Sequence, residues 1–157
     1  MKTFSTTHDS TALFPLPYRG HFSAHREDIF SEDEFPLAVI WLTDHPDLGL
    51  HTHDFTELVL VLDGSARHMT DEGEYLIHPG DVFVIPPGVA HGYTGCDGLE
   101  LVNIVYETTR LNLPNTSLKG FPGYRALFTL EPAFRSRHEF KGRLHLPPHK
   151  CRELTQL

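Results

Sequence analysis

The sequence predicts an all-β domain, a sandwich or a barrel, finished by a short C-terminal helix. Three observations carry this. From Pro36 to Glu107 the chain breaks into short runs rich in β-branched and aromatic residues, side chains that suit a pleated, half-buried surface. Turn signals built on Gly and Pro separate these runs at intervals of about ten residues, the spacing of strands in sandwiches and barrels. No helical apolar period interrupts them.

The elements follow in order. Residues 1–35 are polar, with scattered prolines and the acidic run Ser31 to Glu34, and read as an arm or edge segment with room for one strand. Pro36 to Thr43 (PLAVIWLT) is the first full strand and Thr52 to Leu62 the next. Asp63-Gly64 is a hairpin signal, so Ala66 to Thr70 is expected to return antiparallel. Glu72-Gly73 turns the chain into Glu74 to Ile77, and His78-Pro79-Gly80 turns it into Asp81 to Ile85. Pro86-Pro87-Gly88 ends that strand and re-aims the chain toward His91, and a turn over Gly95 to Gly98 leads into a longer strand, Leu99 to Glu107. Residues 108–142 are less regular, with ALFTLEP as a further strand. From Pro147 the residues change to prolines at a helix start followed by good helix formers. The domain reading is therefore an arm over 1–35, a barrel over 36–147 and the start of a helix over 148–157. That helix begins as the sequence runs out, so it reads as a truncated linker, with a short terminal helix as the alternative.

Length and composition set the frame. The chain has 157 residues, enough for one domain with a core. At 39% hydrophobic and 22% charged it is neither disordered nor membrane-spanning. The formal charge of −8 argues against this segment gripping nucleic acid or an anionic membrane by itself. Cys96 and Cys151 form no CxxC pair, and MKTFSTTHDSTALFPLP has no apolar stretch of a signal peptide. A cytoplasmic location is the expectation.

The chemistry concentrates in two stretches. GLHTHDFTELVLVLDG offers His51, His53 and Glu57, and GDVFVIPPGVAH ends on His91. Imidazole nitrogen and carboxylate oxygen together suit Zn, Ni, Mn or Fe(II). Alternate residues of a strand face one side. His51, His53, Phe55, Glu57, Val59 and Val61 are all odd-numbered, so one extended segment would turn three ligands and an apolar floor toward one interior. Asp54 would point away. The alternative is a polar lumen that touches a ligand directly, or a hydrogen-bonded His cluster. Phe55, Tyr75, Tyr93 and Tyr106 are candidates to line a ligand pocket, with barrel packing as the plainer reading of each ring. Trp41 reads as core first and pocket wall second. Arg67 and His68 follow the Asp63-Gly64 turn and read as solvated hairpin residues. Glu131, Arg135 and Arg137 read as a surface face. No phosphate-binding glycine loop or nucleophile elbow is present.

These stretches resemble the cupin superfamily. His51-Thr52-His53, Glu57 and Gly64 stand at the spacing of its first motif, although the leading glycine is displaced to Gly49. Gly80, Pro86, Gly88 and His91 fit its second motif, whose terminal Asn is replaced by Gly95, with Asn103 the nearest substitute. The resemblance implies a double-stranded β-helix, a jelly-roll barrel with a metal inside its mouth. HTHDFTELVLVLDGSARH, GDVFVIPPGVAHGY, LELVNIVYE and GYRALFTLEP further resemble the sensor half of AraC-type transcription regulators, the rhamnose-responsive kind above all. That likeness implies a domain that binds a small, sugar-like effector, pairs as a homodimer and reaches DNA only through a domain absent from this chain. Such a domain binds without turnover. Retention of all four ligand positions keeps a stand-alone metal-dependent enzyme, a sugar isomerase or dioxygenase, as the alternative.

Overall fold

A computed structural model describes residues 22–33, 35–71, 73–111 and 144–154. Eight strands form one hydrogen-bonded sheet, folded as a cupin-type double-stranded β-helix. They are β1 Phe22–Ala24, β2 Leu37–Leu42, β3 Leu48–His53, β4 Thr56–Thr70, β5 Gly73–Ile77, β6 Asp81–Ile85, β7 His91–Tyr106 and β8 Leu144–His145. A 3-10 turn, Arg26–Asp28, follows β1. Two short helices, α1 Thr108–Leu111 and α2 Pro148–Leu154, follow β7 and β8. None of the described helices is long and apolar enough to cross a membrane. The ALFTLEP strand and the Glu131, Arg135 and Arg137 face lie outside the described residues.

The strand order is β1-β3-β7-β4-β6-β8, with β2 added to β7 and β5 to β4. β7 is the spine. It pairs antiparallel with β4 from Thr56↔Tyr106 to Thr70↔His91, and with β2 and β3 on its other side. Leu99 to Tyr106 is therefore interior to the sheet and offers no free edge. The core packs between the walls. Phe55, Val59, Val61, Ile77, Phe83, Ile85, Leu99, Leu101 and Val105 are buried to 1% exposure or less, and all five residues of β6 are buried.

Two expected turns are absent. Asp63-Gly64 makes no hairpin: β4 runs through it, and the ladder to β7 shifts register there instead. The Gly95 to Gly98 turn likewise lies inside β7. Asp63-Gly64 on β4 and Gly95 to Gly98 on β7 face each other as bulges, where strands bend in a barrel. Gly64 has φ 70°, and a Cβ on it would stand 2.2 Å from the Gly98 carbonyl oxygen, so the two strands approach too closely there for any side chain. The expected strand Thr52 to Leu62 is in turn split. Asp54 and Phe55 bend the chain out of β3 and into β4.

Trp41 is a further correction. Ile40 and Leu42 are the buried residues of β2, so Trp41 faces outward, 42% exposed, and its indole N–H donates to Glu100 Oε1. It is neither core nor pocket wall. Tyr106 stands between buried Val105 and Glu107, partly exposed, on the face of β7 away from the barrel interior.

Candidate functional site in the barrel interior

The interior collects the histidines. His51 and His53 come from the end of β3, Glu57 from the start of β4 and His91 from the start of β7, and all four are 1–3% exposed. The bend at Asp54-Phe55 keeps the odd-numbered residues inward across two strands. His53 stacks flat on Phe55 at 4.4 Å, with its Nδ1 2.7 Å from the Phe55 carbonyl oxygen. That contact makes Nδ1 the N–H donor and turns the lone pair of Nε2 inward, the orientation that a backbone carbonyl gives to metal-binding histidines. His91 is held the same way, with Nδ1 3.4 Å from the Val89 carbonyl.

Three side chains converge. The Glu57 carboxylate oxygen Oε2 lies 3.6 Å from His91 Nε2 and 3.9 Å from His53 Nε2, and one ligand atom from each residue falls within 4.8 Å of the others. His51 stands beside this group rather than in it. Its ring centroid is 4.1 Å from that of His91, while its Nδ1 faces the Gly49 carbonyl at 3.1 Å.

The electrostatics follow from burial without a counter-charge. Burial pushes the Glu57 carboxyl up to about 8 and the His53 imidazole down to about 4. Burial lowers His51 against the opposing Gly49 hydrogen bond, and burial with the neighbouring His51, His68 and His53 imidazoles holds His91 well below its ordinary value. His53 Nε2, Tyr93 Oη and Asn103 Oδ1 are buried with no hydrogen-bond partner among the described residues. A divalent cation between His53, Glu57 and His91 would satisfy the first of these and supply the charge that Glu57 lacks, so the donor set fits a metal.

Two residues join the interior that the sequence reading placed elsewhere or passed over. His68 is 2% exposed, not a solvated hairpin residue. Its Nδ1 is 2.6 Å from Tyr75 Oη, and its ring packs on Phe83, Tyr93 and His91. The bulge at Asp63-Gly64 is the cause. It shifts the inward residues of β4 from odd (Val59, Val61) to even (Ala66, His68). His45 is also buried, with its ring edge-on to Tyr93 at 5.1 Å. Of the expected pocket rings, Phe55, Tyr75 and Tyr93 do meet the histidine cluster. Arg67 remains at the surface with Glu74.

A cavity of about 20 Å³ lies between Glu57 and Asn103 on the barrel side and Ala24, Asp28 and Ile29 on the other, with Ile40 and Leu42 completing it. This is roughly the room of one water. The N-terminal segment is its roof. Asp54 Oδ1 accepts from the Arg26 backbone N–H at 2.7 Å, and the buried Glu107 carboxylate accepts from the Arg26 guanidinium at 2.9 Å.

Fold and site thus define a cupin barrel with a His/Glu cluster in its interior. Residues 40–108 match the AraC-like ligand binding domain family. It is 37% identical over 97 residues to the HTH-type transcriptional activator RhaR of Pectobacterium carotovorum, covering 62% of this chain and 34% of that protein. The figures for RhaR of Escherichia coli K12 are 35% over 101 residues, 64% and 36%. The chain thus spans about a third of the length of these relatives. Among solved structures, it is similar to a cupin-2 domain protein of Shewanella frigidimarina, with 19% identity and TM-score 0.41 over 46% of this chain and 72% of that one. A double-stranded β-helix protein of Klebsiella pneumoniae gives 22%, 0.40, 45% and 63%.

Proposed function

We propose that this chain is the small-molecule sensing and dimerisation unit of a transcription regulator. In this reading the barrel binds a sugar-like effector next to a divalent metal held by His53, Glu57 and His91, with His51 beside them. The carrying observation is the buried convergence of two imidazoles and an uncompensated carboxyl inside a barrel that matches the AraC-like ligand binding domain family. A bound Zn, Ni, Mn or Fe(II) ion would supply a Lewis-acidic point for an effector oxygen. Tyr93 and Asn103, each with a buried and unsatisfied polar atom, would hydrogen-bond that effector, and Phe55 and Tyr75 would close its walls. A cavity of about 20 Å³ cannot hold a sugar. Effector entry at this cavity would lift Ala24, Asp28 and Ile29 and so couple binding to the N-terminal segment. DNA contact belongs to parts of the regulator beyond this chain, and the domain pairs with a second copy of itself.

The test is metal analysis of protein purified without a nickel column, followed by a thermal-shift screen of neutral sugars and sugar acids with product analysis on each hit. One metal per chain and a dose-dependent rise in melting temperature without conversion are expected. No metal in wild-type protein, with no affinity for added Zn or Mn, defeats the metal half of the reading. Conversion of a hit, abolished by His53→Ala, replaces the sensor with an enzyme.

A further inference from the structure

The outer side of β2 is an apolar edge. Phe35 to Thr43 (FPLAVIWLT) contains no charged residue. Three large apolar side chains on this stretch are exposed: Phe35 at 64%, Val39 at 40% and Trp41 at 42%. Behind them, Trp41 pairs across to buried Val102 and Val39 to half-buried Ile104 on β7, so the strand backing the edge is apolar. Among the described residues β2 pairs with β7 alone, so its other edge carries a row of backbone N–H and C=O groups pointing outward. Natural edges of this length are blunted by Lys, by proline or by a bulge, and residues 37–42 have none of these.

The ends of the edge are net acidic; the cation beside them, Arg110, has its guanidinium taken up by the Ser31 and Glu32 carbonyls and by Glu107. Glu32 and Asp33 precede it and Asp44 follows it, all three exposed, and Glu100 lies against Trp41. A second copy laid antiparallel along β2 would bring the acids before one strand against Asp44 after the other, and a parallel copy would bring each acid against itself. Like charges facing each other across strands oppose that pairing. The complementary occupant is an extended peptide segment with apolar side chains in its middle and Lys or Arg at its ends.

We propose that β2 is a docking edge that accepts such a basic-ended apolar segment by strand addition. Backbone ladder bonds would give affinity, Val39 and Trp41 would read alternate apolar side chains, and the acidic ends would select the charge. This surface is separate from the barrel interior and does not depend on the effector or the metal.

Trp41 is the sole tryptophan of the chain, so its emission reports this edge directly. The experiment titrates the 157-residue protein with three synthetic eight-residue peptides: a Val/Thr strand with Lys at both ends, the same strand with Glu at both ends, and the Lys version with a central Pro. The Lys peptide is expected to shift Trp41 emission to the blue and to saturate, with affinity falling as salt rises. The Glu peptide should bind at least tenfold more weakly and the Pro peptide should not bind. Val39→Lys, an exposed site that leaves the fold intact by circular dichroism, should abolish the response, and Val39→Thr should preserve it. Silence toward the Lys peptide, equal binding of the Glu or Pro peptide, or an unchanged response in Val39→Lys each overturns the proposal. A concentration-dependent blue shift without peptide, lost in Val39→Lys, overturns it in favour of a second copy as the occupant.

Discussion

Two clusters in this molecule use nearly the same side chains and differ in everything else. His53, Glu57 and His91 converge inside the barrel. His25, Glu27 and Asp54 converge on its outside, where all three are exposed. In the outer group, the Arg26 guanidinium hydrogen-bonds Glu27 and holds its carboxyl below the usual range, while the Arg26 backbone N–H and His25 engage Asp54. Water and one arginine neutralise it. The inner group has neither, and its carboxyl rises while its imidazoles fall. Ligand types alone thus do not distinguish the two groups. Removal from water without a counter-charge does, because the inner group then has the most to gain from a cation.

The largest effect expected from this contrast is on metal. His53→Ala should weaken Zn or Mn binding on the order of 100-fold or more, since it deletes an inward donor of a three-residue group. Asp54→Ala, one residue away in sequence and in the outer group, should change it less than about twofold. Chelator competition on the two variants measures both, and similar losses in each would erase the distinction between the clusters.

The next largest effect is on pH dependence without metal. The His53 value is lowered when folded, so its contribution is present above the unfolded value near 6.5 and is lost as pH falls toward about 4. The Glu57 value is raised when folded, so its contribution is present below the unfolded value near 4.5 and is lost as pH rises through about 8. Urea unfolding should therefore show stability falling on both sides, by on the order of a few kcal/mol in total. Glu57→Gln should flatten the alkaline limb and leave the acid limb in place. Glu27→Gln should alter neither limb.

A smaller effect tests how the interior gains its last histidine. Gly64→Ala should cost on the order of 2–4 kcal/mol, because the residue has positive φ and its Cβ would meet the Gly98 carbonyl. Gly95→Ala, also at positive φ but facing open space, should cost about 1–2 kcal/mol. Equal costs measured by thermal unfolding would show that strand approach at the bulge is not what holds β4 in register.

The smallest effect belongs to the outer group. Glu27→Gln should leave the thermal unfolding midpoint unchanged at moderate salt, as for other exposed ion pairs. A clear drop in the midpoint would show that the N-terminal roof depends on that pair, and would bring the two clusters closer in kind.

Several features were readable from the amino-acid order. The β-branched runs and their turn signals predicted the strands, because propensity and alternation are local. Asp81 to Ile85 and the helix from Pro148 emerged as expected. Parity assigned His51, His53, Glu57, Val59 and Val61 to one face, and all are buried, since alternation survives the bend at Asp54-Phe55. Other features depended on which strands lie beside each other. A glycine pair reads the same as a hairpin or as a bulge, and only the close approach of Gly64 to Gly98 settles it in favour of two continuous strands. That one bulge moves His68 from the surface to the interior. Trp41 lies outside because β2 joins β7 with Ile40 and Leu42 inward. The roof over Glu57 and Asn103 comes from β1 pairing with β3. None of these is legible one residue at a time, because register and contact between distant strands are set by how the whole sheet closes.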